Sequence, residues 1–390
     1  STGKFKILSS GRVQGPALKI ITEREQEIQK FKPEPFWEIE LDGLAEDKPL
    51  LAQHEAGKFT EKKQADSVIK KTKGKKAKVA DIKKTEFLQD PPFPFDLTTL
   101  QTEAYKVFGI SPKETLSIAQ DIYTQGLISY PRTSSQKLPA AIQYVDVIKE
   151  LQKQKDYSKS CQEILKGKLK PNEGPKSDPA HPAIYPTAEV PKKLEERKHK
   201  IYDLVVKRFL ATFSVPAKRQ TATIDIDVNG EKFISKGTIT IEPGWHSIYE
   251  PYVKLKDLEL PEVKKGEEIK VNKINLLEKE TQPPKRYTQA SIIRIMEKKA
   301  LGTKATRSSI LDALYTRQYI DDKAIEATKL GMATVETLEK YCPEILDEAL
   351  TRNFEEKMDQ IKEGKQKEEQ IVEEAKEFLT KISEKFKKNE

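Results

Sequence analysis

Tyr130 and Arg132 are the two residues of this sequence whose types and spacing best suit chemistry on a phosphodiester. Pro131 between them disfavours helical backbone at Tyr130, which is therefore expected to be extended. Side chains two positions apart on an extended chain lie on one side of it, so the phenol and the guanidinium can face one target. The cation would favour the nucleophilic phenolate and bind phosphoryl oxygens. The chain has 13 tyrosines, so these residues alone leave a packing role for Tyr130 open.

We find no comparable set of residues in the sequence with the types and spacing of metal ligands. The 2 cysteines, Cys161 and Cys342, are too far apart in sequence for a zinc knuckle, and the 4 histidines lack the spacing of paired ligands. Asp225 and Asp227 form an Asp-x-Asp pair within a sequence that alternates like a hairpin strand. We interpret them as two charges on the exposed face of that strand, and we predict no metal site in this chain.

The composition limits the class of protein. There are 70 basic and 62 acidic residues, giving a net charge of +8, which permits a nucleic-acid partner without requiring one. Hydrophobic residues make up 36%, and no apolar run approaches the roughly 20 residues of a membrane span. The first residues also lack the apolar core of a signal peptide. We therefore predict a cytoplasmic protein of several domains that does not contact a membrane.

The element that must position Tyr130 is a helix. Ser111-Pro-Lys-Glu114 is a capping box that starts it, and Gly126 suits its end, directly before the stretch that carries Tyr130. The surrounding region is predicted to be mainly helical up to about Phe213, after a linker at Pro91–Pro94.

Strands are predicted on either side of this helical region. Phe36–Leu41 alternates like a strand, and Asn229-Gly230 between two alternating runs is typical of a tight hairpin. We expect β structure to continue from 252 to 277 and helices from 287 onward. The lysine-rich run from Glu61 to Lys84 could face DNA, but an exposed helix and loop is the interpretation we favour.

Four sequence motifs resemble, in order, those of the type IA DNA topoisomerases. Gly126-Leu-Ile-Ser-Tyr-Pro-Arg-Thr-Ser-Ser135 is similar to the family's active-site segment, and His181-Pro-Ala-Ile-Tyr-Pro-Thr187 is similar to its second motif. Ser9-Ser-Gly-Arg-Val-Gln-Gly-Pro16 resembles the motif before them. Arg286-Tyr-Thr-Gln-Ala-Ser291 through Gly302-Thr-Lys-Ala-Thr-Arg307 resembles the one after. The motifs span nearly the whole chain, and the tyrosine at position 185 is similar to archaeal members.

The resemblance implies a role for each matching residue. Tyr130 would be the nucleophile that forms a 5′-phosphotyrosine link to one cut strand, and Arg132 would hold the scissile phosphate. His181 would assist by a hydrogen bond or by proton transfer. The remaining matches would contact single-stranded DNA beside the site: Arg12, Gln14, Thr133, Ser134, Lys285, Lys304 and Arg307.

One of these positions departs from the family's pattern. Many members have an aspartate after the Arg-Thr pair, where this chain has Ser134. We therefore expect one acidic contact to the neighbouring cations to be absent.

The family also implies a part that this sequence does not provide. Its members begin with a Toprim domain, an α/β unit that binds magnesium (Mg2+) through a glutamate and an Asp-x-Asp pair. That domain would precede the motif that here begins at Gly11. We expect Mg2+ to serve the complete enzyme from a missing Toprim domain and not to bind this chain. Two origins stay open: an expressed fragment, or a natural split subunit that pairs with a Toprim-bearing chain.

By the same resemblance, the fold class is α+β and multidomain. The implied architecture is a toroid with a helical base domain, an interrupted β arch and a helical insert that carries the active-site tyrosine. The predicted divisions are 1–31 and 278–390 for the base, 32–87 and 221–277 for the arch, and 88–220 for the insert.

Two other functions compete with this one. The chain could be a non-catalytic scaffold that binds single-stranded DNA, or a subunit of a split topoisomerase or reverse gyrase that is inert alone. A tyrosine recombinase is a weaker alternative, because such enzymes place a set of arginines around a late tyrosine. This sequence has one Tyr-Pro-Arg cluster, in its first half.

Overall fold

The computed structural model describes residues 11–178, 180–362 and 364–388, which form two compact units that together contain α and β structure. The first unit comprises Phe31–Pro92 and Leu210–Pro283. The second comprises Ser1–Lys30, Phe93–Phe209 and Pro284–Glu390. The second unit therefore combines most of the predicted insert with the predicted base segments. The finer division into five segments stays a prediction.

The first unit is a closed antiparallel β-barrel with strand order β1-β2-β5-β4-β3-β6. Helix α2 (Lys62–Thr72) contacts β1 and β6, and α8 (Trp245–Tyr249) follows β5. The strands are β1 (Pro35–Ala45), β2 (Lys48–His54), β3 (Ala77–Gln89), β4 (Ala217–Val228), β5 (Glu231–Glu242) and β6 (Glu268–Glu280).

Alternation along the strands builds the barrel core. On β1, Ile39 and Leu41 are buried to 1% and 0% exposure, and they pack with Ile226 and Phe233 from β4 and β5. Asn229 and Gly230 both have positive φ, 55° and 79°, as a tight turn matched to strand twist requires. The turn pairs Val228 with Glu231, so the predicted hairpin is confirmed.

Three expectations for this unit were wrong. The lysine-rich run is a helix, α2, followed by strand β3 rather than a loop, because Ala77 and Val79 alternate inward while the lysines face out. Strand structure is absent from the described stretch 252–267 and resumes only at β6. Asp225 is not exposed: it is 7% exposed and forms a 3.0 Å ion pair with Lys232.

The second unit is mainly helical. Its apolar core includes Ile20, Ile21, Ile292 and Leu314. Short strands β7 (Tyr287–Thr288), β8 (Ile320–Asp321) and β9 (Ala324–Ala327) interrupt the stretch predicted to be helical from 287 onward. Its helices are α1 (Gln14–Lys30), α3 (Leu97–Phe108), α4 (Pro112–Thr124), α5 (Tyr144–Gln152), α6 (Ser158–Leu165), α7 (Glu196–Ala211), α9 (Gln289–Lys298), α10 (Arg307–Thr316), α11 (Lys329–Tyr341), α12 (Glu348–Lys362) and α13 (Glu368–Lys388).

Both cysteines are free and buried. Burial raises the pKa of the Cys161 thiol to about 12, which keeps it protonated at neutral pH. Within the described ranges, no helix has both the length and the apolar character needed to cross a membrane.

Candidate active site

Helix α4 leads directly into the segment that carries Tyr130. The backbone N–H of Glu114 donates to Ser111 Oγ at 3.2 Å, and Pro112 stands at the first helical position, so the predicted helix start is confirmed. Gly126 has a φ of 77°, which a residue with a Cβ adopts only with strain, and it turns the chain out of the helix. The residues that follow are extended or irregular.

The segment after Gly126 pairs with the segment after His181. Ile128 forms an antiparallel bridge with Pro186, and the backbone N–H of Ser129 donates to the Tyr185 carbonyl at 2.9 Å. Ser129 Oγ also donates to the Ala183 carbonyl at 3.1 Å. The active-site segment and the motif that begins at His181 are therefore held side by side by hydrogen bonds.

Tyr130 and His181 are brought together by this pairing. Their ring centroids lie 4.6 Å apart with planes at 52°, and the Tyr123 ring contacts Tyr130 edge-on at 5.3 Å. Tyr130 and His181 are both half-buried. In the described part of the chain, neither the Tyr130 hydroxyl nor the His181 ring has a hydrogen-bond partner, so both are available to a substrate.

Arg132 and Thr133 follow Tyr130 but differ in their surroundings. Arg132 is half-buried, and its guanidinium forms no ion pair or hydrogen bond with the described residues. Such a cation can bind a phosphate without first breaking a bond to the protein. Thr133 is 0% exposed, and its hydroxyl donates to the His181 carbonyl at 3.2 Å. DNA contact by Thr133 stays a prediction and would require its side chain to become exposed.

The expectation that an acidic contact to the cations near Ser134 is missing was wrong, because Asp178 provides one. Asp178 Oδ2 accepts hydrogen bonds from the Ser134 backbone N–H and hydroxyl, both at 3.2 Å, and forms an ion pair with Lys304. Its other oxygen accepts from the Ala180 N–H at 3.1 Å. Burial alone would raise the Asp178 pKa. The bonds from Lys304, Ser134 and Ala180 outweigh it and hold that pKa well below the ordinary range.

A second group of charges, partly buried, surrounds Lys176. Lys176 Nζ is 3.1 Å from Asp96 Oδ2 and 3.0 Å from Glu297 Oε2. Asp96 also caps α3 by accepting from the Thr99 N–H. Arg307 faces the other oxygen of Glu297 at 3.7 Å with a side chain only 11% exposed. The predicted phosphate contact of Arg307 therefore competes with this carboxylate.

The other residues predicted to contact DNA are partly engaged by the protein. Arg12 pairs with Glu355 at 2.8 Å and stacks on Phe354 at 5.4 Å, and Gln14 accepts from Arg317. Lys285 is exposed, and its ammonium has no ion-pair partner in the described ranges. Ser9 and Ser10, at the start of the motif that ends at Pro16, lie outside the described residues.

The chain's own residues do not fit the magnesium that the family implies. Among the described residues, no group of three or more His, Cys, Asp or Glu side chains is placed to hold a metal ion.

Sequence reasoning missed Lys176, Asp178, Asp96 and Glu297. Asp96-Leu-Thr-Thr99 is recognisable as a helix start, which the structure shows as a capping box. Nothing local marks the other three, because their partners are 121 and 126 residues away in the pairs Lys176–Glu297 and Asp178–Lys304.

Comparison with known proteins gives one family. A family model described as DNA topoisomerase matches residues 1–373. DNA topoisomerase 1 of Methanocaldococcus jannaschii is 50% identical over 100% of this chain and 51% of its own length. The Pyrococcus horikoshii protein of the same name is 47% identical over 100% of this chain and 57% of its own length.

A bacterial relative and a solved structure agree with these matches. DNA topoisomerase 3 of Bacillus licheniformis is 33% identical over 97% of this chain and 56% of its own length. The structure of full-length topoisomerase I from Thermotoga maritima matches with a TM-score of 0.76 and 26% identity, over 97% of this chain and 63% of that one. The chain thus spans a little over half the length of the curated relatives it matches.

Proposed function

Because this chain belongs to the type IA DNA topoisomerase family, we propose that it carries the strand-cleaving centre of such an enzyme, with Tyr130 as the nucleophile. The observation that carries the proposal is the Tyr130–His181 ring pair at 4.6 Å, with the guanidinium of Arg132, unpaired among the described residues, two positions after Tyr130. A phenol can act as the nucleophile on a phosphodiester, an imidazole can move a proton, and a cation can bind the phosphoryl oxygens.

In the proposed reaction, Tyr130 Oη attacks the phosphorus of a single strand held in the site. A bond forms between Oη and phosphorus, and the bond from phosphorus to the 3′ oxygen breaks. The phenolic proton leaves Oη and a proton reaches the departing 3′ oxygen, so the products are a 5′-phosphotyrosine and a free 3′-hydroxyl. Attack by that hydroxyl on the phosphotyrosine reverses the step and reseals the strand.

The neighbouring residues have separate roles in this proposal. Arg132 binds the phosphoryl oxygens and stabilises the charge that grows on them during attack. His181 hydrogen-bonds to a reacting oxygen or moves a proton there. Thr133 acts indirectly, by holding the His181 backbone through its 3.2 Å hydrogen bond.

Binding of the strand is proposed to rest on basic side chains around this loop. Arg132 and Lys285 can take a phosphate directly, whereas Arg12, Lys304 and Arg307 must exchange a carboxylate for it. Binding should therefore be salt-dependent and tolerant of sequence.

The remaining steps belong to the whole enzyme. We propose the toroid implied by the family and, for strand passage, hinges near Pro91–Pro94 and near Val215-Pro216. Two of the chain's four crossings between its units, at Pro92–Phe93 and at Phe209–Leu210, lie close in sequence to these hinges. Magnesium and a Toprim-bearing chain or domain are proposed partners for resealing.

The test is covalent capture of a labelled single-stranded oligonucleotide, resolved under denaturing conditions. The wild-type chain and Tyr123→Phe should form a DNA–protein adduct, and Tyr130→Phe should form none. Tyr123 is a matched control because its ring contacts Tyr130 at 5.3 Å. An adduct with Tyr130→Phe would overturn the assignment.

The same assay separates the non-catalytic alternative. A wild-type chain that binds the oligonucleotide yet forms no adduct, even with Mg2+ and a Toprim-bearing chain, would be a scaffold. Plasmid relaxation by this chain alone would instead show that no Toprim partner is required.

A further inference from the structure

The described residues just before His181 lack regular secondary structure, and both backbone and side-chain bonds hold them. The Gly174 N–H donates to the Gln136 carbonyl at 3.3 Å, and the Lys176 carbonyl accepts from the Gln136 N–H at 2.9 Å. We call residues 174–181 the histidine segment, of which Pro179 lies outside the described residues. At its start Gly174 packs closely: a Cβ there would meet Gln136 Oε1 at 2.1 Å and Phe93 at 2.9 Å. At its end the His181 carbonyl is held by Thr133. Between these points, Lys176 and Asp178 provide the charged contacts.

We infer that Lys176 and Asp178 are positioning residues, which hold His181 against Tyr130 by fastening the histidine segment to Glu297 on α9 and to Lys304 in the loop after it. This inference rests on the proposed function of Tyr130 and His181. Neither residue touches the reacting atoms.

Asp178 bonds to three separate parts of the chain and holds them together. Its side chain is 5% exposed, and its two oxygens bond to three separate places: Ser134 in the Tyr130 loop, Ala180 next to His181, and Lys304. One carboxylate therefore links the nucleophile's loop, the histidine and the C-terminal helical region. A buried carboxylate that loses its cation is costly, so this arrangement is stiff.

Lys176 makes the complementary contact two residues earlier. Its ammonium lies between Asp96 at the start of α3 and Glu297 near the end of α9, at 3.1 and 3.0 Å. Glu297 is itself fixed by a 3.1 Å hydrogen bond from Thr98 and by Arg307. Both partners of Lys176 are thus held independently of it.

Lys176 and Asp178 carry opposite charges, and their order favours one alignment of the histidine segment with its partners. Lys176 meets an acid on α9, and Asp178 meets Lys304 in the next loop. A slip by two residues would place Lys176 at Lys304, where like charges repel, and would leave carboxylates unpaired. The observed register satisfies both positions and agrees with the backbone bonds between Gln136 and residues Gly174 and Lys176, and this register sets where His181 lies.

The test follows His181 directly, without relying on activity. Carbon-13 labelling of the 4 histidines, with His181→Gln for assignment, gives an NMR signal shifted by the adjacent Tyr130 ring. In Asp178→Ser and in Lys304→Met, this signal should move toward the position of an unstructured histidine. The control is Asp156→Asn, an exposed aspartate before α6 with no ion pair in the described ranges, which should leave the signal in place.

Moving the carboxylate from position 178 to position 134 distinguishes a role in positioning His181 from a general effect on stability. Ser134 Oγ lies 3.2 Å from the Asp178 oxygen that contacts Lys304, so the double variant S134D/D178S returns a carboxylate to the same cation. It should restore the His181 signal. Adduct formation should fall by up to about 100-fold in Asp178→Ser, with little change in oligonucleotide Kd, and recover in the double variant.

An unmoved His181 signal in folded Asp178→Ser and Lys304→Met would overturn the inference. So would failure of S134D/D178S to restore the signal while Asp178→Ser is displaced. If the signal behaves as expected but the wild-type chain never forms an adduct, the positioning stands and the proposed cleavage fails.

Discussion

Thr133 donates a hydrogen bond of 3.2 Å to the backbone carbonyl of His181, 48 residues later in the chain. The same hydroxyl accepts a 3.0 Å bond from the Ser135 N–H, and the Thr133 carbonyl accepts from Leu97 at 3.0 Å at the start of α3. A fully buried threonine is therefore the junction between the loop that carries the nucleophile and the histidine beside it.

Thr133→Val removes this junction while keeping the side chain's shape. The change leaves the His181 carbonyl and the Ser135 N–H without their partner, a loss of about 1–3 kcal/mol in the free energy of unfolding. Chemical denaturation followed by far-ultraviolet circular dichroism measures it. Thr316→Val is the control, because that exposed hydroxyl bonds only to Asp312 in its own helix, and it should cost much less. Equal losses for both variants would contradict this account.

Arg132→Ala should slow adduct formation by about 100-fold or more, because it removes the cation proposed to stabilise the charged phosphoryl group. Oligonucleotide affinity should fall less than about tenfold, or 1.4 kcal/mol, since other basic residues also bind the strand. Arg132→Lys keeps the charge but loses the planar pair of donors, so an intermediate rate is expected. Rates come from quenched time courses of the adduct, and an unchanged rate in Arg132→Ala would place Arg132 away from the phosphate.

The Asp178 carboxyl should make stability depend on acid pH. Its pKa is lower in the folded chain than the ordinary 3.8, because the bonds from Lys304 and two backbone N–H groups outweigh the effect of burial. A group with a depressed folded pKa contributes stability above its unfolded pKa, and this contribution is lost as pH falls toward the folded pKa.

Unfolding measured from about pH 5 down to about pH 2 should therefore show a steeper loss of stability in the wild-type chain than in Asp178→Asn. Asp156→Asn removes a carboxyl without such bonds, so its profile should follow that of the wild type. A wild-type slope retained in Asp178→Asn would assign the acid sensitivity to other groups.

Local patterns predicted several of the elements around the candidate site, but not the residues that support it. The Asn229-Gly230 turn and the N-cap at Ser111 were readable because each is satisfied within a few residues, although Glu114 pairs with Arg197 and does not complete a capping box. Tyr130, Arg132 and His181 were proposed from the resemblance of their motifs to the family's, and their roles stay predictions. Asp178 was not, since its cation Lys304 lies 126 residues away and only the fold brings them together. The stretch 252–267 was misassigned because most of it forms no ladder with a neighbouring strand: Leu258 donates to Thr238 at 2.9 Å, and Gly266 and Glu267 bond to Val79, both at 2.8 Å, just before β6 begins.

The barrel unit offers a test of its core that is separate from the active site. Leu41 on β1 is 0% exposed within the barrel core, whereas Leu51 on β2 is 58% exposed. Leu41→Ala should lower the free energy of unfolding by about 2–5 kcal/mol, through lost burial and the cavity that remains. Leu51→Ala should stay within about 0.5 kcal/mol of the wild type.

Both of the chain's 2 tryptophans, Trp37 and Trp245, lie in this unit, so tryptophan fluorescence during urea denaturation reports its unfolding. Equal effects of the two leucine variants would mean that the barrel core is not organised around Leu41.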